Sequence, residues 1–230
     1  MLVACVYKHG GDFSPEYVRR LVRGVRAHYD GGFKFVCVTD RPDLAAVPGV
    51  DATVALEHEW PGWWAKIEAL RLPGPCLYLD LDTMIVDDLG PWIGSFVGMT
   101  ERIGMLSDFN SPMTLQSGVM FWREPIDLVK VLSEGLTAGS IAFRPNGRGV
   151  ASCGLRHGRT VYNGDGPWVA RMVGNGKVRV LNGKEPRRVV SYKKDVRGQG
   201  IPDNACVVCF HGHPRPHEAL NDPIVQEHWR

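Results

Sequence analysis

The chain has 230 residues, 44% hydrophobic and 23% charged, with a net charge of +2. That apolar content supports a proper buried core, in one large domain or two small ones, and excludes a chain too polar to collapse. No apolar stretch approaches the length needed to span a membrane, and the near balance of charge leaves the class of partner open.

Leu2–Tyr7 reads as a buried first strand, ended by Lys8-His9-Gly10-Gly11. The stretch is too short for the apolar region of a secretion signal, and Lys8 follows it, so a cytoplasmic chain with reduced thiols is expected. Ser14 and Pro15 open a helix as N-cap and first helical residue, with Val18, Leu21, Val22, Val25 and Tyr29 as its apolar stripe. Gly31-Gly32 breaks it, and residues 33–38 form a second strand that ends in Thr39-Asp40-Arg41-Pro42. This strand–helix–strand unit favours a parallel sheet. A helix is expected over 63–72, closed by Pro73-Gly74-Pro75, and the strand beginning at Cys76 follows it.

Further along, 89–96 reads as a short helix, 103–106 and 118–122 as strands, 125–136 as a helix and 166–173 as another. Residues 137–158 are rich in Gly, Ser, Arg and Asn and read as a long mobile loop. Six cysteines are present, most of them in apolar runs, where buried free thiols are the ordinary reading. Cys206 and Cys209 have zinc-ligand spacing, but no second pair completes four ligands. Lys177, Arg179, Lys184, Arg187, Arg188, Lys193, Lys194 and Arg197 stand against only Glu185 and Asp195. That basic stretch, 177–197, is either a solvated surface or a face for a polyanionic acceptor such as DNA. The overall pattern is α/β, parallel early and mixed later, without an internal repeat.

The most informative segment is Cys76-Leu77-Tyr78-Leu79-Asp80-Leu81-Asp82-Thr83-Met84-Ile85-Val86. Two carboxylates inside an apolar run are costly unless a cation, a proton or a phosphoryl group meets them. In an extended chain Asp80 and Asp82 point the same way. Two enzyme readings compete. Asp80-Leu81-Asp82-Thr83 resembles the first motif of the haloacid-dehalogenase-type phosphatases, with Asp80 as nucleophile and Asp82 as acid/base. However, that motif normally opens its domain, and Val169 stands where a second carboxylate after Gly164-Asp165 would be wanted.

The second reading accounts for more of the chain. The Asp-x-Asp at the end of a buried strand, Lys66 on the segment before it, Gln116-Ser117-Gly118-Val119, Asn163-Gly164-Asp165-Gly166, and Phe210-His211-Gly212-His213-Pro214-Arg215-Pro216 occur in that order. Together they resemble the GT-A fold nucleotide-sugar glycosyltransferases, in particular the small retaining galactosyltransferase and glycogenin-like group. The resemblance implies a Rossmann-like α/β domain over 1–230, with a mixed, mostly parallel sheet flanked by helices. Residues 1–88 would bind the nucleotide, and 89–230 the sugar and acceptor. It also implies transfer from a nucleoside-diphosphate sugar, UDP-sugar foremost, to an acceptor hydroxyl, with Mn²⁺ or Mg²⁺ on Asp80, Asp82 and His211. The acceptor would be a saccharide, a lipid-linked intermediate, a protein or a hydroxymethylated base in phage DNA.

Further site residues follow from the same resemblance. Arg215 would meet the diphosphate. Lys66 would either reach the donor or be a solvated lysine. Asp165 and Gln116 would lie near the anomeric carbon. Gly166 stands where relatives carry glutamine, so Asp165 alone carries over. The compressed spacing around Gly212 leaves both His211 and His213 as metal candidates. Asp40 would hold the base or ribose, or cap its own turn; Tyr7 would stack on the base, or end its strand.

Overall fold

The structure, a computed structural model, describes residues 1–145, 153–183 and 187–230. Its strands are β1 Leu2–Tyr7, β2 Lys34–Thr39, β3 Ala52–Ala55, β4 Cys76–Leu79, β5 Thr83–Ile85, β6 Ile103–Ser107, β7 Leu115–Trp122, β8 Ile141–Pro145, β9 Cys153–His157, β10 Thr160–Tyr162, β11 Val178–Val180, β12 Val189–Ser191 and β13 Val207–Cys209. The α-helices are α1 Pro15–His28, α2 Gly90–Gly94, α3 Leu128–Thr137, α4 Asp165–Val173 and α5 Pro223–His228.

Seven strands form the main sheet in the order β11-β6-β7-β4-β1-β2-β3. The pairs β1–β2, β2–β3, β1–β4 and β11–β6 are parallel, and β7 runs against both β4 and β6. The sheet is thus mostly parallel, with one reversed strand. Alternation along each strand divides the core into two layers. Val3, Cys5, Tyr7, Leu77 and Leu79 face α1, whose Val18, Leu21, Val22 and Val25 are buried against them. Ala4, Val38, Tyr78, Met120 and Trp122 face the opposite layer, built from residues 62–71, α3 and α4.

Three sequence expectations change. Gly62–Arg71 is a run of 3-10 turns rather than an α-helix, and Trp64 through Leu70 are buried without a break. A segment enclosed on every side has no solvent face, so the one-sided pattern of an amphipathic helix does not apply to it. The expected mobile loop over 137–158 contains β8 and β9, which pair antiparallel and continue into β10 as a three-stranded sheet. Residues 146–152, and Lys184 and Glu185 of the basic stretch, lie outside the described residues. Finally, the Asp-x-Asp does not lie on extended chain. Strand β4 stops at Leu79, and the Thr83 amide donates to the Asp80 carbonyl at 3.1 Å, closing a turn. From there β5 leaves for a separate small sheet, β12-β13-β5.

All six cysteines are free and buried. Among the described residues no helix is long and apolar enough to cross a membrane.

Candidate functional site

Strand β1 has β2 on one side and β4 on the other, so the chain order reverses direction at the β1/β4 junction. In an open α/β sheet a crevice forms outside the carboxyl ends of the strands at such a point. Here that edge opens into a cleft of about 1050 Å³, lined by Lys8–Phe13 after β1, Asp80–Thr83 after β4, Gln116–Gly118 at the start of β7, and Asn163–Pro167 leading into α4. His211, Gly212, His213 and Arg215 form a further wall.

The late histidine segment reaches the cleft by strand pairing. Strand β13 runs antiparallel to β5 with Cys209 opposite Thr83, and the Phe210 amide donates to the Asp82 carbonyl at 3.0 Å. The chain emerging from β13 therefore lies directly beside the Asp80–Asp82 turn.

A buried ionic network forms the cleft floor. Lys66 Nζ lies 2.7 Å from Asp80 Oδ1 and 2.8 Å from Oδ2, 3.8 Å from Asp165 Oδ2 and 3.4 Å from Ser117 Oγ. The Tyr78 hydroxyl donates to Asp80 Oδ1 at 2.7 Å, and the Ser117 hydroxyl donates to Asp165. Burial pulls the Lys66 ammonium down, but Asp165 and Asp80 outweigh it and hold the lysine above its ordinary range. Lys66 is thus a charged lysine fixed inside the protein, not a solvated one. Asp165 is raised by burial, against the pull of Lys66 and the Ser117 hydroxyl.

Ser117 reaches this network because the β6–β7 register shifts between Met105 and Leu106. Met105 faces Met120 while Leu106 faces Gln116, so Ser117–Val119 bulge out of that ladder. A bulge re-aims side chains at a sheet edge. A side chain at Gly118 would lie 2.7 Å from Gln116 Oε1, the movable end of that side chain. The Gly118 amide holds Gln116 Oε1 at 2.8 Å, folding that amide over its own strand. At Gly166 a Cβ would meet Gln116 Cα at 2.7 Å and the Leu115 carbonyl at 2.8 Å, so α4 begins in backbone contact with β7. Gly166→Ala is accordingly expected to push α4 and Asp165 away from Ser117. The expected cost is about 1–3 kcal/mol, read as a lower Tm; an unchanged melt would show that this contact yields freely.

Asp82 faces the other wall. Its carboxylate pairs with the Arg215 guanidinium, which also reaches Asp12 Oδ2 at 3.3 Å and lies over the Phe13 ring at 4.8 Å. Burial, helped by the Asp80 charge and opposed by Arg215 and Lys66, raises the Asp82 carboxyl to about 7. Between its ordinary 3.8 and about 7 the folded chain therefore holds a proton that the unfolded chain has released. Asp82 thus contributes less to stability as pH rises through that window. The Tm of wild type without metal is expected to fall relative to that of Asp82→Asn between about pH 5 and about pH 7.5. Parallel curves would mean that Asp82 titrates as an ordinary carboxyl.

His211 completes the set. Its Nε2 lies 2.6 Å from Ser191 Oγ, its ring stacks on Phe109, and burial together with Lys193 lowers its pKa, favouring the neutral imidazole. Two carboxylates, one of them driven toward protonation, and a neutral imidazole are a donor set short of positive charge. These are oxygen and nitrogen donors of the kind that could hold a divalent cation. The donor atoms are not gathered into one shell, since Asp80 faces Lys66, Asp82 faces Arg215 and His211 faces Ser191. Among the described residues the three-donor group with atoms within 4.8 Å of one another is Glu57, His58 and Glu68. Arg71 already pairs with Glu57 at 2.5 Å and Glu68 at 3.5 Å, and Glu68 accepts the amides of Glu57 and His58, so that group is an internal ion-pair knot.

Two expected donor contacts are placed elsewhere. Tyr7 is 2% exposed and packs in the α1 layer, leaving no ring face for a base. Asp40 accepts the His9 amide at 2.9 and 3.1 Å, bracing the loop after β1, and does not line the cleft. His213 pairs with Glu218 at 2.8 Å, which makes His211 the better placed of the two candidates. Among the described residues of the basic stretch several cations have partners within the chain. Arg187 pairs with Asp195, Arg179 approaches Glu101, and Lys193 and Lys194 donate to the carbonyls of His211 and Phe109. Tyr78, Ser117, Asp12 and Ser191 join the site although the sequence assigned none of them a role.

No family model and no curated protein matches the chain. Solved structures do. The galactosyltransferase LgtC in complex with donor and acceptor sugar analogues is similar at a TM-score of 0.60 and 15% identity, over 94% of this chain and 89% of that one. An active-site variant of LgtC gives 0.63 and 14%, over 99% and 93%. The glycosyltransferase GlyE of Streptococcus pneumoniae gives 0.58 and 12%, over 98% of this chain and 62% of GlyE. At such identities the likeness concerns architecture, and it establishes that the chain has the GT-A fold.

Proposed function

We propose that this chain is a metal-dependent glycosyltransferase. It would move a sugar from a nucleoside-diphosphate sugar, UDP-sugar foremost, to an acceptor hydroxyl, with Mn²⁺ or Mg²⁺ held by Asp80, Asp82 and His211. One observation carries the reading: Lys66, Asp80, Asp82, Asp165, His211 and Arg215 line one cleft at the switch point of the sheet. The fold supports it, because LgtC, which shares this architecture, was solved with donor and acceptor sugar analogues. The phosphatase alternative draws no support from these neighbours.

When bound, a divalent cation supplies Lewis-acid stabilisation of the departing diphosphate. Arg215 would neutralise the remaining phosphate charge through its paired N–H groups, and the amides of Gly10 and Gly11 border the same space. Lys66 would orient Asp80 and Asp165 through its contacts with both. Asp165 and Gln116 would present oxygen toward the positive character that develops at the anomeric carbon. In this arrangement residues 1–88 contribute most of the donor contacts, and 89–230 contribute the sugar pocket and the acceptor side.

A panel of nucleotide sugars with Mn²⁺, scored for transfer and donor hydrolysis, tests the reaction class and the donor together. Mn²⁺ plus UDP is expected to raise Tm more than either alone. No turnover of any donor, together with release of phosphate from a generic phosphomonoester, would reverse the assignment. Hydroxymethylated DNA belongs in the acceptor arm, where transfer that falls steeply with salt would identify it. Transfer that is absent or indifferent to salt would direct the search to saccharides, lipid-linked intermediates and proteins.

A further inference from the structure

Each group that could hold the cation already has a partner from the chain itself. Asp80 has Lys66 and Tyr78, Asp82 has Arg215, and His211 has Ser191. The two internal cations differ in how firmly they are held. Lys66 is 8% exposed at its side chain, is shared with Asp165, and sits on a segment buried on every side. Arg215 comes from the irregular stretch between β13 and the short turn Pro216–Glu218. Its second anchor is Asp12, itself 53% exposed, on the loop after β1. Its Nε is buried and finds no acceptor among the described residues. Arg215 is therefore held by two carboxylates at one end and is incompletely satisfied at the other.

We propose that Arg215 is a place-holder for the divalent cation: in the donor-free chain its guanidinium occupies Asp82, and the arriving diphosphate draws it away so that the ion can bind there. This rests on the function proposed above and names how that same site is regulated. A divalent ion reaching Asp82 while Arg215 remains would meet a like charge at contact distance. A lone carboxylate at Asp82 would be costly in the absence of both. A diphosphate offers the guanidinium paired oxygens, a geometry it matches better than a single carboxylate oxygen, and gives the orphaned Nε an acceptor. Exchange of partners then makes cation and nucleotide bind cooperatively, each tightening the other by the same factor. Asp12 is the positioning residue of the resting state, since it aims the guanidinium across the cleft from the loop that borders the diphosphate space.

The test is a titration of free Mn²⁺, followed by electron paramagnetic resonance at about pH 8 with and without UDP. It compares wild type, Arg215→Gln and Arg215→Lys, with a melting curve for each. Wild type is expected to take up Mn²⁺ weakly alone and about tenfold more tightly with UDP. Arg215→Gln should bind Mn²⁺ alone about fivefold or more tightly than wild type, because the competing charge is gone, and its coupling to UDP should shrink. Arg215→Lys, which keeps the charge, should stay near wild type in Mn²⁺ alone. If Arg215→Gln binds UDP less well but Mn²⁺ alone no more tightly, Arg215 is only a phosphate ligand and the proposal is overturned. Wild type settles the matter without a folded variant: equal Mn²⁺ affinity with and without UDP would overturn the place-holder alone. No Mn²⁺ uptake under either condition would overturn the metal-dependent reading as well.

Discussion

Asp82→Asn is expected to lower kcat/KM for sugar transfer by about a thousandfold or more, while the chain still folds. The amide keeps the shape of the side chain and can still accept from Arg215, so the wall of the cleft is retained. On the proposed function it would not supply the negative charge that a divalent cation needs, and the departing diphosphate would lose the stabilisation such a cation gives. The substitution also removes a desolvated charge that sits close to Asp80, which offsets part of the lost ion pair. The measurement pairs steady-state kinetics with the shift in Tm that Mn²⁺ plus UDP produces. A variant that keeps the full metal-dependent shift would remove Asp82 from the site.

Lys66→Met should be the most damaging change to stability at the site. It leaves Asp165, 8% exposed at its side chain, and the adjacent Asp80 without their shared cation. Removing one member of a buried ion pair costs about 3–5 kcal/mol, because the other charge is left uncompensated. For a chain of this length that corresponds to a fall in Tm of roughly 10 °C. Adding Asp165→Asn should recover part of the lost stability by removing the stranded charge, and should recover none of the activity. A drop smaller than about 2 °C for Lys66→Met would return Lys66 to the status of an ordinary surface lysine.

The sequence showed the parts of this site that are local. Two aspartates inside an apolar run stand out because burial of charge is costly, and the strand–helix–strand opening follows from residue periodicity and from Ser14, Pro15 and the Gly31-Gly32 break. What it concealed are the long-range partners. The pairing of Arg215 with Asp82 depends on the β5–β13 ladder, and nothing in the local composition of Thr83–Ile85 says that this strand leaves the main sheet. Ser117 was hidden because it is aimed by a register shift, which is a property of two strands together. The segment 62–71 has the apolar content of a helix, but enclosure on all sides removes the one-sided pattern by which a helix is read. The pairing of β8 with β9 was missed because Arg144, Gly154 and Arg156 interrupt their short apolar runs. Tyr7 was legible after all: it shares parity with Val3 and Cys5, and alternation alone sends its ring into the α1 layer.

The contact between Asp82 and Arg215 joins positions 133 residues apart in the chain, and the ladder that creates it, Val207–Cys209 on Thr83–Ile85, closes late in the polypeptide. Loops of that span form slowly, and their entropy is lost before any contact repays it. A growing chain on the ribosome would therefore carry its aspartate pair without the opposite wall until the 133 residues after Asp82, through Arg215, have been added. Nascent chains stalled before Val207 should lack the Arg215 wall of the cleft even where the first strands have paired.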